Sequence, residues 1–297
     1  MRVRALKVAT VASVKRVTMI NPITEDDRRK YREDGYHIIP QVIPASLLED
    51  LRREAAKAQE IARRIDGPQA QRISVLGNYS DELDMSVFNA FDEIEGLEQA
   101  IRDLLTPEHF LQPTAEATIL FAPRDRPWST EWHRDFRDHI EEEAWKDHLA
   151  DSWESISNNF KLWNQVNCPL YEDNSTWYVP GTFKRTSNTS EENALYASST
   201  QEILRDETNE MSDEALELYC LKYCQAMPDA VQLVLNPGDF CIYRNTGWHI
   251  GNYVPYRKRM TIHTQCDTQD FGEFRKQYFH LLNARAASLE KHRNIRN

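Results

Sequence analysis

From about residue 115 to residue 265 the chain reads as short strands separated by turns, and this run most restricts the folds open to it. Glu116–Phe121, Trp128–Phe136, Phe160–Cys168, Ser175–Val179, Val231–Leu235, Asp239–Tyr243 and Lys258–Gln265 read as strands bounded by turn signals. Pro169–Asn174 is a turn-rich connector, and Asn236-Pro237-Gly238 joins two strands directly. Helical patterns flank the run. Residues 24–34 open on Thr24 with acids in the first turn and stop at Gly35, before a short strand at Tyr36–Pro40. Residues 46–64 carry Leu47, Leu48, Leu51 and Ala55 on one face, and 86–105 and about 270–291 are helical too. Residues 138–154 are acidic and read as helix, with Trp145, Leu149 and Trp153 spaced by four. This order predicts a mainly β chain with flanking helices, of the α+β kind. Its core would be a double-stranded β-helix, or jelly roll, over about 115–268.

Residues 185–230 interrupt the strands. Between 191 and 217 there are nine acids against one base, and Leu216, Tyr219, Cys220 and Tyr223 form an amphipathic stripe. The segment is too short to bury a core of its own, so it reads as a helical insertion in a single domain over 25–297. Residues 1–24 form a basic extension with five Lys and Arg and no acid. A cytoplasmic protein is expected, and the alternative for the extension is an organelle-targeting segment.

Hydrophobic residues make up 40% and charged residues 28%, enough for an ordinary globular core. The net charge of −11 argues against a nucleic-acid surface, which needs clustered Lys and Arg. No apolar run approaches the roughly 18 residues that span a membrane. The five cysteines, Cys168, Cys220, Cys224, Cys241 and Cys266, contain no CxxC pair, so a zinc ribbon is unsupported and a reduced, intracellular protein is expected. The sequence leaves the oligomeric state open, with a homodimer among the alternatives.

The chemistry-bearing feature is Trp132-His133-Arg134-Asp135. In extended chain, residues two apart point to one side, so an imidazole and a carboxylate can share a metal ion. His249, in Gly247-Trp248-His249 after a strand-turn-strand hairpin, can complete a facial set of two histidines and one carboxylate, the ligand set of non-haem iron(II) oxygenases. His-x-Asp is common by chance, and surface histidines and acids explain it equally well on its own. Arg257 and Arg259 follow with the same strand parity. A guanidinium fork there could hold the far carboxylate of a dicarboxylic co-substrate, or both could be solvated edge charges. Arg259 is preferred because Arg257 lies nearer the loop Asn252–Tyr256. The remaining histidines, His37, His109, His139, His148, His263, His280 and His292, have no ligand spacing with a partner.

At this point the chain resembles the phytanoyl-CoA dioxygenase-like oxygenases. The resemblance rests on Tyr31–Pro40 with Val42-Ile43-Pro44 and the Leu-rich helix after it, on Trp132–Asp135, on Trp177–Lys184, and on Asn236–Phe240 through His249 to Arg259. It implies a jelly roll, iron(II), 2-oxoglutarate and dioxygen. It makes His133, Asp135 and His249 the iron ligands and Arg259 the partner of the distal carboxylate of 2-oxoglutarate. It puts Trp163 near the co-substrate, with Asn164 or Gln165 supplying an amide contact; a core Trp and a plain strand amide are the ordinary alternatives. The sequence departs from the family in the compact His249-Ile250-Gly251-Asn252 and in Phe183, where a His is common. The first departure keeps Arg257 open beside Arg259. The implied activity is oxidation, chiefly hydroxylation, of a C–H bond in a small molecule of specialised metabolism, with succinate and carbon dioxide as co-products. Relatives that halogenate have a small residue where this chain has Asp135. The rival readings are a cupin-type metal enzyme that does not use 2-oxoglutarate and a non-catalytic binding protein that keeps the fold. The acidic stretches at 138–154 and 191–217 are expected to be solvated helix faces, or else to rim a mouth that favours cations.

Overall fold

The computed structural model describes residues 20–198 and 210–282. The chain begins with α1 (Glu25–Asp34), β1 (Tyr36–Ile39) and α2 (Ala45–Asp66). β2 (Arg72–Ser74) leads to α3 (Met85–Asp92), α4 (Leu97–Leu104) and β3 (Phe110–Leu111). β4 (Thr118–Phe121) and β5 (Trp128–Ser129) precede α5 (Glu142–His148) and α6 (Trp153–Asn158). β6 (Asn164–Pro169) and β7 (Thr176–Tyr178) follow, then α7 (Ser190–Ser198) and α8 (Asp213–Gln225). β8 (Val231–Gln232), β9 (Phe240–Arg244), β10 (His249–Tyr253), β11 (Met260–Asp267) and α9 (Gln269–Tyr278) complete the described chain.

Local chemistry explains several boundaries. Thr24 and Asp27 cap the start of α1 reciprocally, and Gly35, at φ +87°, ends it in the left-handed conformation. Ser212 and Thr268 cap α8 and α9 through their hydroxyls.

Two antiparallel sheets face each other as a jelly roll. The larger has the order β1-β9-β6-β11-β4-β2, with β3 also on β11; the smaller has the order β5-β10-β7-β8. The larger sheet divides its side chains by parity. Ile119, Phe121, Val166, Phe240, Ile242 and Ile262 face helices α1–α4 and form the main core with them. Their neighbours Leu120, Gln165, Asn167, Tyr243 and His263 face the space between the sheets and line a cavity there. Burial of the apolar face holds the domain together, and the alternate residues are left for a site. On the smaller sheet Trp177 and Ile250 pack with Tyr223 and Cys224 of α8, so this part of the expected insertion covers the outer face. All five cysteines are free and buried.

Four expected elements differ. The helix read over 86–105 is two helices, because Gly96 turns the chain at φ +82°. The strand read over Trp128–Phe136 keeps ladder pairing only at Trp128–Ser129 and one isolated bridge, His133 to His249. The strand read over Phe160–Cys168 starts at Asn164, since Trp163 sits at φ +63°. Residues 138–154 form short α and 3-10 turns in place of one helix. Most of the basic extension, the centre of the insertion and the end of the last helix lie outside the described residues. Among the described residues no helix is long and apolar enough to cross a membrane.

Candidate metal centre

His249 opens β10, and the turn before it sets its position. Gly247 leaves no room for a Cβ beside the Tyr178 hydroxyl, and its N–H closes the turn on the Arg244 carbonyl at 2.9 Å. His133 is bound to His249 by a pair of backbone hydrogen bonds of 3.1 and 3.0 Å, and Asp135 N–H donates to Asn245 O at 2.8 Å. The alternation expected of a strand survives locally. Trp132 and Arg134 are buried on one side, where the Arg134 guanidinium lies 4.4 Å over the Trp248 ring and pairs with Asp138. His133 and Asp135 take the other side. Phe136 then turns the chain at φ +67° and drops its ring among Trp163, Phe274 and Phe279.

His133, Asp135 and His249 each offer a ligand atom, all within 4.8 Å of one another. His133 Nε2 lies 3.6 Å from Asp135 Oδ1, and His249 Nε2 lies 3.8 Å from Oδ2. Each imidazole donates its Nδ1–H to a backbone carbonyl, His133 to Glu131 at 2.7 Å and His249 to Gly247 at 3.0 Å. That commits the tautomer and turns both Nε2 lone pairs toward the carboxylate. Burial, with repulsion from His133 and against attraction from Asp135, pushes His249 down to about 4, so its ring is neutral at neutral pH. Burial opposes the charge of Asp135, but the surrounding His139, His249 and His133 side chains and the Asn245 amide outweigh it and hold the carboxyl well below its usual range. The Asn245 amide donates to Asp135 Oδ2 at 2.9 Å and fixes the carboxylate plane. An ion with bonds of about 2.1 Å at right angles needs donors about 3 Å apart, so this set fits a divalent metal after a small contraction.

The three residues open on a cavity of about 450 Å³ between the sheets. Arg259 lies on its wall, 8% exposed, with Nε donating to Asp173 Oδ2 at 2.8 Å and its guanidinium 4.8 Å from the Tyr253 ring centre. Attraction to Arg259 overcomes burial and keeps Asp173 ionised, below its usual range. Arg257 does not line this cavity; it is half exposed and pairs with Glu172 at 3.0 Å. Gln165 lines the cavity. Asn164 does not: its amide is engaged with the Tyr31 hydroxyl, the Phe160 carbonyl and His109. Trp163 is buried among Phe136, Phe271 and Phe274 and borders a second, adjoining compartment of about 320 Å³.

Sequence reasoning missed three neighbours. His139, set aside as lacking a partner, stands 3.6 Å from Asp135 Oδ1; its i+4 spacing from Asp135 was the available signal. Asn245 holds the carboxylate through a tertiary contact that no spacing shows. Arg72 adds a second guanidinium to the cavity wall from an edge strand, next to Leu120 of β4. His263, also set aside for lack of ligand spacing, has both ring nitrogens hydrogen-bonded and lines the cavity as well.

No model of a known protein family and no curated protein sequence matches the chain. Solved structures do. HygX from Streptomyces hygroscopicus with nickel, 2-oxoglutarate and hygromycin B bound is 16% identical, at a TM-score of 0.51 over 83% of this chain and 88% of that one. EctD from S. alaskensis with 2-oxoglutarate and 5-hydroxyectoine is 15% identical, at a TM-score of 0.51 over 86% of this chain and 81% of that one. EvdMO1 is 13% identical at a TM-score of 0.51, and 82% of this chain spans 49% of its length, about half. At these identities the likeness establishes the jelly-roll fold.

Proposed function

We propose that this protein is an iron(II)- and 2-oxoglutarate-dependent oxygenase that oxidises a C–H bond of a small organic molecule. The observation that carries the reading is the convergence of two Nε2 lone pairs and one carboxylate on a cavity whose wall also carries the buried Arg259. Two structures of the same fold hold 2-oxoglutarate, one of them beside nickel, which supports the assignment of the two sites.

In this reading His133, Asp135 and His249 would hold the metal. Iron(II) with 2-oxoglutarate supplies the oxidising chemistry from dioxygen, releasing succinate and carbon dioxide. Arg259 binds the distal carboxylate, and Asp173 holds the guanidinium in place through Nε and the Thr261 hydroxyl it accepts at 2.7 Å. Burial of both Arg259 and Asp173 strengthens that charged contact. With Asp135 occupying the third ligand position, hydroxylation and related oxidations are the expected outcomes.

The test is metal and co-substrate binding before turnover. Anaerobic titration with iron(II) and then 2-oxoglutarate should give one site each and an absorption band that needs both. Oxygen and ascorbate should then give succinate release. His133→Ala should weaken metal binding at least ~100-fold. Unchanged metal binding in that variant would sink the reading, and succinate release that ignores Arg259 would favour a metal enzyme of another class.

A further inference from the structure

We propose that Tyr243 is a further binding residue for the co-substrate, its phenol hydroxyl donating a hydrogen bond to an oxygen of 2-oxoglutarate. The proposal rests on the reading above, in which the cavity holding Arg259 receives that molecule.

Tyr243 belongs to β9, and strand alternation sets its direction. Phe240 and Ile242 turn to the helices and the main core. Tyr243 takes the opposite side and lines the cavity between the sheets. Asn245, two residues on, carries the chain to the metal centre, where its amide meets Asp135 Oδ2 at 2.9 Å. The ring of Tyr243 stands edge-on to His249 at 5.7 Å between centres and to Tyr178 at 6.2 Å. Only 2% of the residue is exposed, so these neighbours hold its plane.

Packing alone would be served by a phenylalanine there. The hydroxyl is an added polar group, and no described residue forms a hydrogen bond with it. Its oxygen keeps accessible surface, unlike the sealed indole nitrogen of Trp163. Tyr31 and Tyr178, both fully buried, make the contrast. Their hydroxyls donate to Asn164 Oδ1 at 2.6 Å and to the Arg244 carbonyl at 3.0 Å. Of the three, Tyr243 alone lines the cavity. A buried tyrosine hydroxyl usually finds a partner, and here a ligand can supply it.

Two charged neighbours point to the ligand. Burial first, and the Asp135 carboxylate next, push the Tyr243 phenol well above its ordinary range, while Arg259 pulls the other way. The hydroxyl therefore stays protonated and donates. It lies within electrostatic reach of both the carboxylate at the metal centre and the guanidinium on the cavity wall. In the proposed site 2-oxoglutarate spans those same two groups, and ionised carboxylates accept hydrogen bonds only. A neutral donor on the wall matches them without adding charge.

The experiment compares Tyr243→Phe with Tyr31→Phe by calorimetry on the nickel(II)-loaded protein, with nickel(II) affinity and thermal unfolding measured alongside. Each substitution removes one hydroxyl and keeps the ring. Tyr243→Phe should weaken 2-oxoglutarate binding about tenfold, with nickel(II) affinity and unfolding temperature unchanged. Tyr31→Phe should lower the unfolding temperature and leave 2-oxoglutarate affinity unchanged. Unchanged 2-oxoglutarate affinity in Tyr243→Phe would overturn the proposal. So would a loss accompanied by an equal loss of nickel(II) affinity or by a lower unfolding temperature, which marks a structural role. Failure of the parent protein to bind 2-oxoglutarate would instead strike the co-substrate reading itself, and the proposal with it.

Discussion

At the scale of single residues, geometry assigns different work to groups of similar chemistry. Arg259 and Arg72 both border the inner cavity, but Arg259 is buried and braced by Asp173, whereas Arg72 lies exposed on an edge strand. A braced fork binds a carboxylate in two parallel bonds, and an exposed guanidinium adds mainly screened attraction. Arg259→Lys keeps the charge beside Asp173 and loses the fork. It should raise the dissociation constant for 2-oxoglutarate roughly tenfold or more, with metal affinity unchanged. Arg72→Gln should raise it only about two- to fivefold, and that effect should shrink in high salt. Calorimetry on the nickel(II)-loaded protein separates the two, and a larger loss from Arg72→Gln would move the anion contact to that residue. The spacing of His133 and Asp135 was legible because local backbone alternation sets it. Asn245, Arg72 and the role of Asp173 were not, because they arrive from segments far apart in the chain.

At the scale of elements, the strands legible from the sequence include the edges β1 and β8 as well as the interior β6, β9 and β11, because turn signals bound each of them. The segment carrying His133 and Asp135 was read as one strand and is not, because Phe136 leaves extended geometry to reach the aromatic cluster. Aromatic content suggests a strand, but here the ring is drawn by a tertiary pocket. β10 shows the reverse case, a strand that needs a glycine. A Cβ at Gly251 would collide with the hydroxyl end of the Tyr253 ring, and that ring supports Arg259. Gly251→Ala should cost ~1–3 kcal/mol of stability by overpacking and should weaken 2-oxoglutarate binding at the same time. Denaturant unfolding and calorimetry check both effects. Stability loss with unaltered binding would show that Tyr253 relaxes without disturbing Arg259.

At the scale of the whole molecule, one buried polar network ties the helical layer to the larger sheet. The Tyr31 hydroxyl of α1 donates to Asn164 Oδ1 on β6 at 2.6 Å, and Asn164 Nδ2 donates to His109 Nε2 at 3.1 Å. Arg244 of β9 reaches the same Asn164 oxygen at 3.3 Å and bonds the carbonyls of Ser157, Asn159 and Leu162. His109 must be neutral here, since its Nε2 accepts while its Nδ1 meets the Thr106 hydroxyl at 2.9 Å. Burial pushes it down to about 4 from an ordinary value of 6.5. The sign follows from linkage. Between those two values the unfolded chain binds a proton at this site that the folded chain refuses, so stability is full above about pH 6.5 and falls as pH drops toward 4. One such group contributes a slope approaching ~1.4 kcal/mol per pH unit within that window. Other groups titrate there too, so the test is a comparison: His109→Gln should flatten the loss of stability between pH 7 and 4.5 relative to the parent protein. Its amide carbonyl can still accept from Asn164 without taking a proton. Denaturant unfolding across that range is the measurement, and parallel pH profiles for the two proteins would show that His109 is not the acid-sensitive tie between the helices and the sheet that carries the candidate site.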